Sequence, residues 1–192
     1  VATIQLQSTD ESVPFRIISA GGEAPVFVGG FDPSKDEPRT KYTIRQDYSM
    51  YASEQLPRWF LIETDHPTSA VIDVPVPNYE IQPERQRHRF NVSESRLVFG
   101  QMHAGEQSFG RFRVVGGDLP DASEFVDSIE WTNTDQCDVE VVSAENEEGG
   151  IQMVIGVTPK EGLRGVLFGT VTLRAMGDSR PFDIIGRVVA PE

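Results

Sequence analysis

The sequence predicts an all-β protein built as two tandem β-sandwich domains, and three observations carry that prediction. Apolar and polar residues alternate with period two in Val1–Gln7 (VATIQLQ), Lys41–Gln46 (KYTIRQ) and Ile151–Val157 (IQMVIGV), the pattern of a strand with one buried face. No stretch of ten or more residues keeps an i, i+3, i+4 apolar stripe between start and stop caps, although Asp118–Phe125 has room for one helical turn. A strand-turn-strand device near the end, Val166–Ala175 and Phe182–Val189 around Met-Gly-Asp-Ser-Arg-Pro, has an earlier echo in Trp59–Glu63 and Ala70–Val76 around Thr64–Thr68. The echo divides the 192 residues into two domains of about a hundred each.

The first domain is expected over residues 1–86. Val1–Gln7 opens it as a half-buried strand, and Phe15–Ile18 follows as a short one. Gly21–Pro38 is loop-rich, with four Gly and three Pro around a brief apolar insert at Val26–Val28. Lys41–Gln46 alternates again, and the Trp59–Glu63/Ala70–Val76 hairpin turns through Thr64-Asp65-His66-Pro67-Thr68, Asx-plus-Pro chemistry that reverses a chain. Pro75 and Pro77 lack amide donors, which puts that strand at a sheet edge or ends it there. The polar run Asn78–Arg89 (NYEIQPERQRHR) reads as a linker.

The second domain, residues 87–192, begins with Arg96–Phe99, turns through Gly100–Gln107 and re-enters a strand at Phe109–Val115, with Phe112 and Val114 on one face and Arg111 and Arg113 on the other. Phe125–Trp131 (FVDSIEW) and Val139–Val142 read as short strands, and 144–150 (AENEEGG) as a hairpin loop. Laying the halves on each other at an offset of about 112 residues pairs Lys41–Gln46 with Gln152–Val157, Trp59–Glu63 with Val171–Ala175 and Ile72–Val76 with Ile184–Val188. Phe15–Ile18 falls against the FVDSI segment. Nothing ahead of Val1 answers to Asn91–Gln107, so the first domain is expected to lack the opening strand of its twin. Either it closes with fewer strands or the missing piece belongs to preceding sequence.

Hydrophobic content of 38% and charged content of 24% describe a soluble globular chain, and no apolar run approaches the ~20 residues that span a bilayer. Direct membrane insertion is not expected. A formal charge of -13 repels phosphate backbones, so nucleic acid is not an expected partner. The lone Cys137 cannot form an intrachain disulfide. With Val1 in place of an initiator Met, the chain reads as a mature exported product or a piece of something longer.

Candidate chemistry is sparse. Asp32–Glu37 (DPSKDE) alternates oxygens as calcium loops do, but Glu37 stands where the sharp-turn glycine belongs and Thr43 where a bidentate Glu would, so no metal site is expected. His66, His88 and His103 share no zinc-ligand spacing and read as solvated loop residues in a turn, the linker and a loop. Cys137 lies between Gln136 and Asp138, an acid that raises a thiol pKa, and reads as a half-buried, unreactive thiol. No G-x-S-x-G, P-loop or G-x-G-x-x-G occurs, so neither catalytic residues nor a cofactor is expected. Tyr48, Tyr51 and Trp59, near Tyr42, are the candidate ligand-binding residues, since exposed rings stack on sugars or dock peptides. Arg85, Arg87, His88 and Arg89 cluster in the linker.

The second half runs RLVFGQMHAGEQSFGRFRVVG, FVDSIEW and GGIQMVIGVTPKEGLRGVLFGTVTLRAMGDSRPFDIIGRVV. This resembles immunoglobulin-fold modules of the Hydin and major-sperm-protein type, and most closely a bacterial immunoglobulin-like family, the domain of unknown function 1573 group. Leu97, Phe99, Gly100 and Gly105 match its opening; Gly165, Val171, Leu173, Gly186 and Val188 match its close; Thr64-Asp65-His66-Pro67 is similar to its turn. Many members carry a Cys-Gly-Cys where this chain has only Cys137, so no metal or redox role transfers. The resemblance implies two tandem immunoglobulin-like sandwiches in a periplasmic, envelope or secreted protein. They would serve as a non-catalytic structural or protein-interaction module meeting a protein partner through exposed edge strands or loops. The alternative is a carbohydrate- or peptide-binding accessory module using Tyr48, Tyr51 and Trp59.

Overall fold

The computed structural model describes residues 1–49, 57–76, 88–132 and 135–190. They are almost all β, arranged as several open sheets and one short helix. The chain divides into two compact units, Val1–Gln82 and Pro83–Glu192.

In the first unit, β1 (Ala2–Gln7), β3 (Val26–Phe27) and β4 (Lys41–Gln46) form one antiparallel sheet in the order β1-β4-β3, and β2 (Ile17–Ala20), β5 (Trp59–Thr64) and β6 (Val71–Pro75) form another in the order β2-β5-β6. The alternation in each strand sends one set of side chains inward. Leu6, Tyr42 and Ile44 from the first sheet meet Ile17, Phe60 and Ile62 from the second in one buried cluster. Phe15, Phe27 and Phe31 surround the Tyr42 ring at centroid distances of 5.1, 5.6 and 5.0 Å. Buried Tyr42 satisfies its hydroxyl by donating to the Phe15 carbonyl and accepting the Arg39 N–H. The second strand starts two residues later than its sequence suggests, because Phe15 makes only an isolated bridge to Arg39. Pro75 does lie on an edge strand; Pro77 is outside the described residues.

In the second unit, β8 (Arg96–His103), β10 (Glu130–Thr132), β13 (Gly165–Ala175) and β14 (Asp178–Val189) form a sheet in the order β10-β13-β14-β8, while β7 (Asn91–Val92), β9 (Ser108–Val115), β11 (Cys137–Glu147) and β12 (Gly150–Pro159) form one in the order β11-β12-β9-β7. Phe112, Val114, Met153 and Ile155 from one sheet pack with Leu167, Leu173, Phe182 and Ile184 from the other. All pairings are antiparallel except β14 with β8, which run parallel.

Several sequence expectations change here. Phe125–Trp131 is not a strand: α1 (Ala122–Asp127) occupies its first half and only Glu130–Thr132 is extended. Buried Ala122 and Phe125, with half-buried Val126 and Ile129, recur at i, i+3, i+4 and i+7, a helical rather than a strand face. Asn146 Oδ1 accepts the Ala122 N–H at 2.9 Å, and the Ser128 hydroxyl donates to the Phe125 carbonyl at 2.7 Å. The proposed match of Phe15–Ile18 to FVDSI therefore fails.

Strands also run further than expected. The first strand continues past Phe99 to His103 through Gly100, whose φ of +67° suits glycine. The 144–150 loop shrinks to Glu148-Gly149. The six-residue turn near the end shrinks to Met176-Gly177, with φ of 54° and 73°, the paired left-handed geometry of a two-residue hairpin. Pro181 then lies inside β14. Its missing N–H faces away from β13, on the side where β8 begins only opposite Asp183, so no ladder bond is lost.

The two units share one connectivity. β1-β4-β3 repeats as β9-β12-β11 and β2-β5-β6 repeats as β10-β13-β14, in the same chain order and all antiparallel. Among the described residues, β7 and β8 have no counterpart in the first unit. The overlay at 112 residues pairs the right strands but misplaces one register: Trp59 lies opposite Pro75, whereas Val171 lies opposite Phe182 and faces inward. The hairpins differ in turn length, which shifts one strand against the other.

Candidate functional site

On the corresponding side of the first unit, no strand among the described residues pairs with β6 beyond β5. In β6, the bonds Thr64 N–H to Ala70 O (2.9 Å) and Val76 N–H to Arg58 O (3.2 Å) fix the alternation with β5. By that alternation Ile72 and Val74 bond to β5, while the N–H and C=O of Val71 and the C=O of Pro75 point outward. In the second unit the same outward row is used, since Asp183 N–H donates to Ser95 O at 3.0 Å beside β8. A cleft of about 240 Å³ lies between β1 and β6, lined by Leu6, Ser8, Thr9, Phe15, His66 and Ile72 among others.

A polar network closes one wall of this cleft. Thr68 N–H donates to His66 Nδ1 at 3.3 Å, which leaves the neutral ring's proton on Nε2, 3.2 Å from Ser8 Oγ. Ser8 in turn donates to the Asp10 carbonyl at 2.7 Å. A Ser–His pair 58 residues apart has no local signal, and the sequence reading missed it. With Nδ1 accepting from Thr68, His66 Nε2 is placed to donate to Ser8 Oγ. The ring also packs edge-on against Phe15 at 5.7 Å, so the pair ties the β5–β6 loop to the end of β1.

Tyr48 and Trp59 are not brought together. Tyr48 is half-buried and meets Phe60 edge-on at 5.8 Å. Trp59, the neighbour of Phe60 on β5, points to the opposite sheet face and carries the Arg58 guanidinium over its ring at 5.4 Å. Tyr51 is outside the described residues, as are Arg85 and Arg87.

His88 is not a solvated linker residue. The His88 side chain is only 9% exposed and its Nδ1 lies 3.1 Å from Asp178, which also accepts the Arg89 N–H at 2.7 Å. Arg89 Nη1 reaches the Met176 carbonyl at 2.9 Å. Burial pushes the Asp178 carboxyl up, but hydrogen bonds from His88, Ser179 N–H and Arg89 N–H outweigh it and hold the pKa at about 2. The clip fastens the segment before β7 to the β13–β14 turn. His103 sits at the end of β8 rather than in a loop.

Cys137 is fully buried rather than half-buried, inside the core of the second unit. In the Asp32–Glu37 stretch the carboxylates serve their own turn. Lys35 Nζ and the Ser34 hydroxyl and N–H bind Asp32, holding its carboxyl below the usual range, and Asp36 accepts the Asp32 N–H. Among the described residues no group of three His, Cys, Asp or Glu converges as a metal site, and no helix is long and apolar enough to cross a membrane.

No protein-family model and no curated protein matches the chain. Among solved structures it is similar to a protein of unknown function from Porphyromonas gingivalis, with 13% identity over 96% of this chain and 90% of that one and a TM-score of 0.36. It is also similar to the endo-fucoidan hydrolase MfFcnA4 from glycoside hydrolase family 107, with 12% identity over 100% of this chain and a TM-score of 0.34. The chain spans about a quarter of that enzyme's length, 26%. A third is the ASH / PapD-like domain of human CEP192, with 12% identity over 62% of this chain and 99% of that domain and a TM-score of 0.29. At TM-scores this low the likenesses carry no argument about fold or function.

Proposed function

We propose that the chain is a tandem of two immunoglobulin-like β-sandwiches acting as a non-catalytic structural or protein-interaction module of an exported or envelope-associated bacterial protein. The observation that carries this reading is the repeated six-strand connectivity, two sheets closing on one apolar core in each unit. What such units offer to a partner is their edges and outer faces. Phe168 and Val98 flank Ile185 as a cross-strand row on the outer face of β13-β14-β8, and Phe109 stands 62% exposed on β9. Rings exposed in this way are the anchors that protein interfaces use. The carbohydrate alternative gains no support from Tyr48 and Trp59, which face opposite sides of one sheet.

Photo-crosslinking residues placed at Val98, Phe109 and Phe168 in cells of the source organism test the reading. One discrete protein adduct, absent when the crosslinker sits at exposed Glu124, is the expected result. Stoichiometric glycan binding on an array, or turnover of a small-molecule substrate by the purified chain, would overturn it.

A further inference from the structure

We propose that the outer face of the β1-β4-β3 sheet docks an extended acidic segment of a partner protein, one that presents carboxylate, apolar and carboxylate side chains in turn along one side. This rests on the protein-interaction reading above and adds to it a surface in the first unit and a partner of stated charge.

The face follows from the alternation of its strands. Tyr42 and Ile44 turn into the core, so Lys41, Thr43 and Arg45 of β4 point out. Leu6 turns in on β1 and Phe27 on β3, which leaves Gln5 and Gln7 outside on one flank and Val26 and Val28 on the other. Register sets these in rows: Arg45 stands beside Val26, Thr43 beside Gln5, and Lys41 beside Gln7. Val28 donates its N–H to the Thr43 carbonyl at 2.9 Å and so lies next to Thr43. Val26 is 60% exposed and Val28 47%, and Lys41 and Arg45 are exposed with them.

On a chain of formal charge -13, these rows contain two cations and no carboxylate. Among the described residues neither Lys41 nor Arg45 makes an ion pair. Glu23 and Asp47 lie past the Arg45 end, lining a separate cleft, and Asp47 accepts the Ser49 N–H at 2.9 Å. At the Lys41 end the face runs into a cleft of about 170 Å³ walled by Phe27 and Phe31 and lined by both Lys41 and Arg39. The Arg39 guanidinium stacks 4.7 Å over the Phe31 ring and reaches Asp36 at 3.4 Å. A stacked guanidinium beside an ammonium suits a single carboxylate side chain.

Spacing selects the occupant. Lys41 and Arg45 are four residues apart on one strand, about 14 Å, and side chains i and i+4 of an extended peptide share one side at that same spacing. Carboxylates at i and i+4 meet the two cations, while an apolar residue at i+2 falls over Val28 and Thr43. A nucleic acid or a sulfated polysaccharide is the poorer match, because its regularly spaced charges meet only widely separated cations and its backbone gives the two valines no apolar partner.

The probe is the capped peptide Thr-Glu-Thr-Val-Thr-Glu-Thr, titrated into the whole 192-residue chain and followed by amide chemical shifts. Saturable shifts are expected at Val28, Thr43 and Arg45, weakening as added salt screens the charges. Lys41→Glu and Arg45→Glu, both at exposed positions, each weaken binding about tenfold, and Val26→Thr combined with Val28→Thr weakens it several-fold. A peptide with one Glu changed to Lys regains binding to the Arg45→Glu chain, which separates lost complementarity from lost structure. Absence of saturable shifts at millimolar peptide overturns the proposal, as do shifts confined to the second unit or equal affinity for a peptide carrying Lys at both Glu positions. Tighter binding of heparin or single-stranded DNA at the same residues, indifferent to the valine substitutions, makes the face a polyanion site and overturns it too. If crosslinks at Val98, Phe109 and Phe168 capture a protein while the peptide fails, the interaction reading stands and this surface falls.

Discussion

The two units are built on one plan and finished differently. Both fold six strands into two sheets over one core in the same order, and the second adds β7 and β8 on the outer edges of β9 and β14, strands with no counterpart among the described residues of the first. Completeness follows from that addition. In the second unit Phe90, Leu97 and Met102 are buried by it, and the His88–Asp178–Arg89 clip anchors its start. In the first, a cleft lies on the corresponding side among the described residues, where Ser8 and His66 join the end of β1 to the β5–β6 loop.

The contrast can be broken most forcefully at Phe90. Phe90→Ala removes a fully buried ring and is expected to destabilise the second unit by about 3–5 kcal/mol, with the first unit's transition unmoved. Each unit holds one tryptophan, Trp59 and Trp131, so fluorescence with Trp59→Phe and Trp131→Phe variants assigns each transition. Equal losses in both units would mean that they do not fold separately.

Tyr42→Phe does the converse. It strips the hydroxyl from the Phe15 carbonyl and the Arg39 N–H inside the first core and is expected to cost that unit about 1–3 kcal/mol, read as a lower denaturant midpoint of the Trp59 signal.

The clip gives a pH signature to the second unit. The Asp178 pKa is about 2 when folded, below the ordinary 3.8, so its stabilisation is full above about pH 5 and fades as pH falls toward 2. Asp178→Ala is expected to cost about 1–2 kcal/mol at neutral pH. The gap from the parent chain narrows through that acid window, and a gap constant down to pH 2 would sink the assignment.

The smallest expected effect is at the turn. Met176 holds a φ of 54°, where Asn sits more comfortably, so Met176→Asn should stabilise the second unit by about 0.5–1 kcal/mol in the Trp131 transition.

Much of the strand content was legible because alternation reports a half-buried strand directly, as in Ile151, Met153, Ile155 and Val157, all buried. Pro75 marked its own edge for the same local reason. The helix at Ala122–Asp127 was legible only as room for one turn over Asp118–Phe125, because six residues are too short for a periodic stripe to stand out from a β-branched and aromatic run. Strand ends escaped because polar Asp178–Arg180 and Glu145–Glu147 are extended by their pairing partners, not by their own pattern. The Ser8–His66 contact and the Asp178 clip could not be read from the sequence, since each joins residues dozens of positions apart.

Amide exchange at Val71 and Asp183 in the unliganded chain tests the contrast most directly. Both N–H groups point to the outer side of β6 and β14; β8 pairs with that side of β14, and no strand among the described residues pairs with that side of β6. The described strands predict rapid exchange at Val71 and strong protection at Asp183. Matched protection at the two positions would contradict it.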